Sequence, residues 1–325
     1  MHRRSFCLRT GAAAAGAFLP GRAFAQSWPA RPIRMIVPFP AGGGTDAISR
    51  QLAERITSAT GWAIAIENRA GAGGNIGLEA VAKAQPDGYT IGMGQAANLA
   101  INPSLYPKMP YDPLKDFALV SLVATQALVA VVSAKSPYKT LGELITAAKA
   151  KPGTVTVAHT GNGTVGHLAG EVFARQAGIK VLIVPYKGAA QVVTDILGGQ
   201  VDVLFGNPLA VMPLSSAGLL HPIAVTSLRR LAALPEVPTV DESGFRGFEA
   251  TNWSGLVAPA KTPDVVVARL NAEVNAALRR PEMVEKLAVD SSEPLPSSPE
   301  RFAEFLRAEH AKWGTLIREA GIKLE

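Results

Sequence analysis

Two glycine-rich stretches carry the residues best suited to chemistry in this 325-residue chain. The first reads Pro38-Phe39-Pro40-Ala41-Gly42-Gly43-Gly44-Thr45-Asp46 and follows the apolar run Ile33 to Val37. The second reads Ala158-His159-Thr160-Gly161-Asn162-Gly163-Thr164-Val165-Gly166-His167 and follows Val155 to Val157. Helical spacing comes after each, so each is a strand, a turn and a helix. Glycine lets such a turn bend tightly and brings the backbone close to a ligand. The helix start exposes unpaired N–H groups at the positive end of its dipole. Two such ends facing each other across a cleft hold a small anion, such as a carboxylate, without an arginine clamp. Either loop taken alone is equally well read as an ordinary strand-to-helix turn.

Other chemistries find little support. Gly71-Ala72-Gly73-Gly74-Asn75-Ile76-Gly77 suggests a dinucleotide loop, but Ile76 stands where the third glycine belongs. There is no phosphate-loop string and no G-x-S-x-G nucleophile elbow. His159 and His167 match no usual zinc spacing, so neither a metal nor a cofactor is expected. His167 reads as a structural hydrogen-bonding group in the first helical turns, whereas His159, nearer the loop, is open to ligand contact.

The elements that position these loops begin after a leader. Residues 1–25 read as a cleaved signal peptide, with Arg3 and Arg4 in a basic start, an apolar stretch from Gly11 to Leu19, and Ala23-Phe24-Ala25 before the cut. Arg3-Arg4-Ser5-Phe6 partly matches a twin-arginine signal, so that route and ordinary export both stay open. The sole cysteine, Cys7, lies in the leader, which excludes disulfides and thiol catalysis downstream. Loss of Arg3, Arg4, Arg9 and Arg22 lowers the formal charge from +6 to +2. No basic stripe points to nucleic acid, no later apolar run is long enough to span a membrane, and the expected product is a soluble periplasmic monomer.

Strand-like and helix-like patterns then alternate, enough for two α/β domains. Ile48, Leu52 and Ile56 mark the helix after the first loop, and Gly61 ends it. The four prolines between Asn102 and Asp116 imply irregular chain there. Thr140 with Glu143 forms a capping box, and Thr262-Pro263 and Ser298-Pro299 read as helix starts. The chain is expected to cross between domains near Ala124–Gln126 and to return after Ile223 to Thr226. This places 26–124 and 227–325 in lobe 1 and 125–226 in lobe 2.

A series of strings, in order, resembles the Bug or TctC-like extracytoplasmic solute receptors of tripartite tricarboxylate transporters. They include Trp28-Pro29-x-Arg31-Pro32-Ile33, Glu67-Asn68-Arg69-x-Gly71-Ala72-Gly73-Gly74, Pro86-Asp87-Gly88-Tyr89-Thr90, Ile101-Asn102-Pro103-Ser104-Leu105-Tyr106, Val184-Pro185-Tyr186-Lys187-Gly188 and Gly198-Gly199-Gln200-Val201-Asp202. The resemblance implies a periplasmic-binding-protein type II fold, or Venus flytrap: two α/β lobes joined by crossing strands and closed on one small di- or tricarboxylate, aromatic acids included. It implies delivery to membrane permease subunits; a sensor role and, less readily, a periplasmic enzyme are the competing readings. The site residues it implies are Phe39, Pro40, Ala41, Gly42, Gly43, Gly44, Thr45 and Asp46; Gln95, Ala96 and Asn98; His159, Thr160, Gly161, Asn162, Gly163 and Thr164; and Tyr186, Gly206 and Asn207. Asp46 reads mainly as a capping or first-turn residue.

The chain departs from the family at four places. Gly206-Asn207 stands where aspartate and asparagine are common, Gln95 replaces a usual serine or threonine, Ser254 replaces a larger side chain, and His159-Thr160 replaces small residues. The expected pocket is wider and less negative, and an aspartate restored at 206 is expected to repel a dicarboxylate.

Overall fold

The computed structural model describes residues 28–186, 188–289 and 291–322, so the leader and Lys187 lie outside the described residues. Its strands sort into two sheets. β1 (Ile33–Val37), β2 (Ile64–Asn68), β3 (Thr90–Gln95) and β4 (Phe117–Ala127) open the first. β5 (Val129–Ser133), β6 (Thr156–His159), β7 (Leu182–Pro185), β8 (Val203–Gly206) and β9 (Leu220–Val225) make the second. β10 (Thr251–Pro259) and the short β11 (Ser292–Pro294) return to the first. The orders are β11-β4-β10-β3-β1-β2 and β7-β6-β8-β5-β9. β1 pairs in parallel with β2 and β3, and β6 in parallel with β7 and β8.

Helices cover the sheets and explain why their inner strands are apolar on both faces. α1 (Gly44–Thr60) follows the first loop and buries Ile48, Leu52 and Ile56 on one face. Gly61 ends it in the left-handed conformation, φ 74°, where its lack of a Cβ is needed. α2 (Asn75–Ala82) and α3 (Asn102–Leu105) lie in the same lobe. α4 (Leu141–Ala150), α5 (Val165–Gln176), α6 (Ala189–Leu197) and α7 (Pro208–Ser216) belong to the second. α8 (Asp264–Leu278), α9 (Pro281–Ala288) and α10 (Pro299–Ala320) close the chain.

Some local expectations change. The Asn102–Asp116 stretch is not wholly irregular: a π-helix spans Ala97–Ile101 and α3 follows it, because Pro103 sits in a first turn where no N–H donor is needed. Thr140 caps α4 by accepting the Glu143 N–H, and Ser298 caps α10 by accepting the Arg301 N–H. Thr262 does not cap α8; its hydroxyl donates to Pro259 O, and the N-cap is Pro263.

The chain leaves the first sheet at Leu128, slightly later than expected, because β4 keeps pairing with β10 as far as Ala127. Thr226 ties this crossing to the returning one. Its Oγ1 accepts the Leu128 N–H at 2.8 Å and donates to Ala250 O at 2.7 Å, while its own N–H reaches Leu128 O.

Beneath β10 lies a buried polar node. Glu309 Oε2 accepts the indole N–H groups of Trp253 and Trp313, both at 2.9 Å. Glu309→Ala leaves two buried donors unpaired, and should cost about 3–5 kcal/mol in urea unfolding. Glu309→Gln keeps an acceptor oxygen and should cost about 1 kcal/mol. Equal losses in the two variants would show that packing, not the shared acceptor, sets the stability.

Candidate functional site

The carboxyl ends of β1 and β3 in one lobe face those of β6 and β8 in the other, across a cavity of about 470 Å³. Strand ends in open α/β sheets are where ligands are held. α1 starts there, with Gly43 extended at the N-cap and no side chain capping it. The N–H groups of Gly44 and Thr45 therefore keep the orphan status of a first helical turn. α5 starts opposite, with Thr164 accepting the His167 N–H and with Val165 and Gly166 on the cavity wall. Two further helix starts converge: α6 at Gly188 and Ala189, and α7 at Asn207.

Among the described residues no charged side chain lines the cavity. Among the described residues, the helix starts on its walls supply positive partial charge. The lobe 1 wall adds uncharged polar side chains: Gln95 on β3, Asn252 and Ser254 on β10, Gln126 on β4 and Ser292 on β11. Gln95 Nε2 donates to Thr45 Oγ1, and Gln126 Nε2 to Ser292 Oγ at 3.1 Å. Phe39, Ile48, Leu128, Val165, Leu204, Phe205 and Trp253 supply apolar surface.

Of the residues expected at the site, Phe39, Pro40, Gly43, Gly44, Thr45, Gln95, Thr160, Thr164, Gly206 and Asn207 line the cavity together. The others stand beside it or behind it. Ala41, Gly42 and Asn162 are exposed loop residues, and Gly161 turns the second loop at φ 146°. Asp46 shapes the first loop: its carboxylate accepts the Gly42 N–H at 2.9 Å, the Arg50 Nε–H at 2.9 Å and the Asn68 amide at 2.9 Å. Burial alone would raise its pKa, but these donors outweigh burial and bring it down to about 2. Ala96 and Asn98 are buried under the wall, where Asn98 Oδ1 accepts the Gln95 N–H.

Three expectations are corrected. Tyr186 turns away from the cleft and donates to Asp195 at 2.7 Å; burial and then Asp195 push its hydroxyl up to about 12. Gly163 touches the other lobe instead of the cavity: a Cβ there would lie 3.0 Å from Asn102 Oδ1, on a backbone with φ 76°. A Cβ on Gly206 would meet Val211 Cγ1 at 2.7 Å and Leu204 at 3.1 Å. An aspartate at 206 would start into apolar packing, so its predicted repulsion of a dicarboxylate is withdrawn.

The two loop histidines form a buried stack behind Thr160 and Thr164, with ring centroids 4.3 Å apart. His159 Nδ1 lies 2.9 Å from Gly161 O and donates to it, while His167 Nδ1 accepts the Gly163 N–H at 3.3 Å. Burial lowers both pKa values, and the neighbouring ring adds to the effect at His167, which falls to about 4. Neither ring lines the cavity. Both are neutral structural groups that hold the second loop.

Two α/β lobes around a cavity whose described lining carries no charged side chain, with helix starts on both walls, define a two-lobe solute-binding protein. The chain belongs to the TctC family, the tripartite tricarboxylate transporter family receptors, whose family model matches residues 48–322. BugT of Bordetella pertussis is 38% identical over 302 residues, covering 93% of each chain. The periplasmic binding protein BugD superposes with a TM-score of 0.81 at 36% identity, covering 91% of this chain and all of that one. Rpa4515 of R. palustris, solved with adipate, superposes with a TM-score of 0.84 at 35% identity, with 91% of this chain and 100% of that chain covered. The family resemblance read from the sequence is thereby borne out.

Proposed function

We propose that this protein captures one small di- or tricarboxylate in the periplasm and delivers it to the membrane permease subunits of a tripartite tricarboxylate transporter. One observation carries the reading: helix N-termini from both lobes meet at a cavity with no charged side chain among its described lining residues. Closure brings these ends onto one anion and removes water from it, which strengthens each N–H contact. Adipate in Rpa4515 supports the ligand class. With no acidic side chain on the described wall, the ammonium of an amino acid would be buried without a counter-charge. The apolar walls accept a carbon body, aromatic rings included.

A thermal-shift screen of the exported protein against mono-, di- and tricarboxylates tests this. Ligand at a hundred times Kd adds about 2.7 kcal/mol, which should raise Tm by about 4 °C or more in a chain of this size. Absence of any shift across the panel, or a response to amino acids alone, would remove the reading.

A further inference from the structure

Ser254 is the best-placed unsatisfied group on the cavity wall. It sits on β10 near the centre of the first sheet, 3% exposed, and among the described residues its Oγ has no hydrogen-bond partner. A hydroxyl held out of water without a partner is costly, and such a group in a binding wall selects a ligand that completes it. Across the ladder Ser254 pairs with Gln95 on one side and Ala124 on the other. Paired residues share a sheet face at about 5 Å, so the Ser254 hydroxyl neighbours the Gln95 amide. Gln95 in turn gives its Nε2 to Thr45, in the first turn of α1. Ser254 therefore stands one side chain away from the N–H groups offered to a carboxylate.

The donors and acceptors left over define a pattern. Gln95 uses its N–H₂ on Thr45 and keeps Oε1 as an acceptor. Ser254 Oγ–H has a proton to give. A ligand hydroxyl satisfies both, accepting from Ser254 and donating to Gln95. A methylene satisfies neither, and a ketone only the first. We infer that Ser254 with Gln95 reads a hydroxyl on the carbon next to the bound carboxylate, so that the preferred ligands are 2-hydroxy acids. This rests on the carboxylate reading above and narrows it.

Calorimetry with matched pairs tests the inference: succinate against malate, glutarate against 2-hydroxyglutarate, and phenylacetate against mandelate, each hydroxy acid in both enantiomers. In the unmodified protein the hydroxy member of at least one pair should bind about ten-fold tighter or more. Ser254→Ala should bring that preference below about three-fold, by weakening the hydroxy acid more than its deoxy partner. Acids that bind without a hydroxyl preference in the unmodified protein overturn the inference, whatever the variant does. A preference that survives Ser254→Ala overturns it as well. In both cases carboxylate binding still stands; failure of every acid to bind removes the carboxylate reading itself.

Discussion

Gly166→Ala is expected to weaken carboxylate binding at least about a hundred-fold, close to 2.7 kcal/mol, in a protein that still folds. Gly166 is the second residue of α5 and lines the cavity. A Cβ on it would stand 2.7 Å from Phe205 O, a backbone atom of β8. No rotamer relieves that contact, so the start of α5 must move off the strand. The N–H groups of the second-lobe pole move with it, and a displacement of this kind is enough to lose directed hydrogen bonds. Gly142→Ala is the matched control. Gly142 is also the second residue of its helix, α4, but a Cβ there meets nothing nearer than Thr140 Oγ1 at 3.8 Å. It should leave affinity unchanged and stabilise α4 slightly, by about 0.5–1 kcal/mol. Calorimetry with whichever acid gives the largest thermal shift decides the matter; near-normal affinity in Gly166→Ala would mean that α5 is not part of the anion site.

The second large effect is a loss of stability in acid. His167 is buried and neutral, with a pKa lowered to about 4 by burial and by His159. In the unfolded chain it titrates near 6.5, so between these values only the unfolded state takes up the proton. Its contribution is complete above about pH 6.5 and is lost as the pH falls to about 4, a change of about 3 kcal/mol. His159, lowered in the same direction, adds to the loss. Glu171, raised by burial, works the other way and offsets part of it. Asp46 adds its own loss only at lower pH, below the usual carboxylate range. Protonating His167 Nδ1 also removes the acceptor of the Gly163 N–H, so the second loop should loosen first. Denaturant unfolding of His167→Asn, whose Oδ1 can stand in for Nδ1, should show less than half the drop between pH 7 and pH 4. An unchanged slope would place the acid sensitivity elsewhere.

The features that were legible in the sequence are local. Each glycine loop is contiguous, so strand, turn and helix start could be read together, and Thr45 and Thr164 were found from that pattern, whereas Gln95 at the end of β3 came from the family resemblance. The starts of α6 and α7 rest on a single Gly188 and on Asn207-Pro208, too little to mark an anion pole before the sheet order is known. The polar wall left a usable trace: Asn252 and Ser254 alternate within the otherwise buried strand β10, which puts both on one face. Ser292 left none, since β11 has three residues and meets β4 only through the fold. Tyr186 was misplaced because a strand end does not say which way its last side chain turns; Asp195 on α6 does.

Among its described lining residues, a cavity polarised by peptide groups has no charged side chain to abandon when a guest departs. An arginine left alone in such a place would have to be rehydrated or paired again before the lobes could part, at a cost of several kcal/mol. The N–H groups of α1 and α5 need only a water molecule each. The empty protein and a loaded one are thus close in electrostatic comfort, and among the described lining residues no buried charge would pull an anion back.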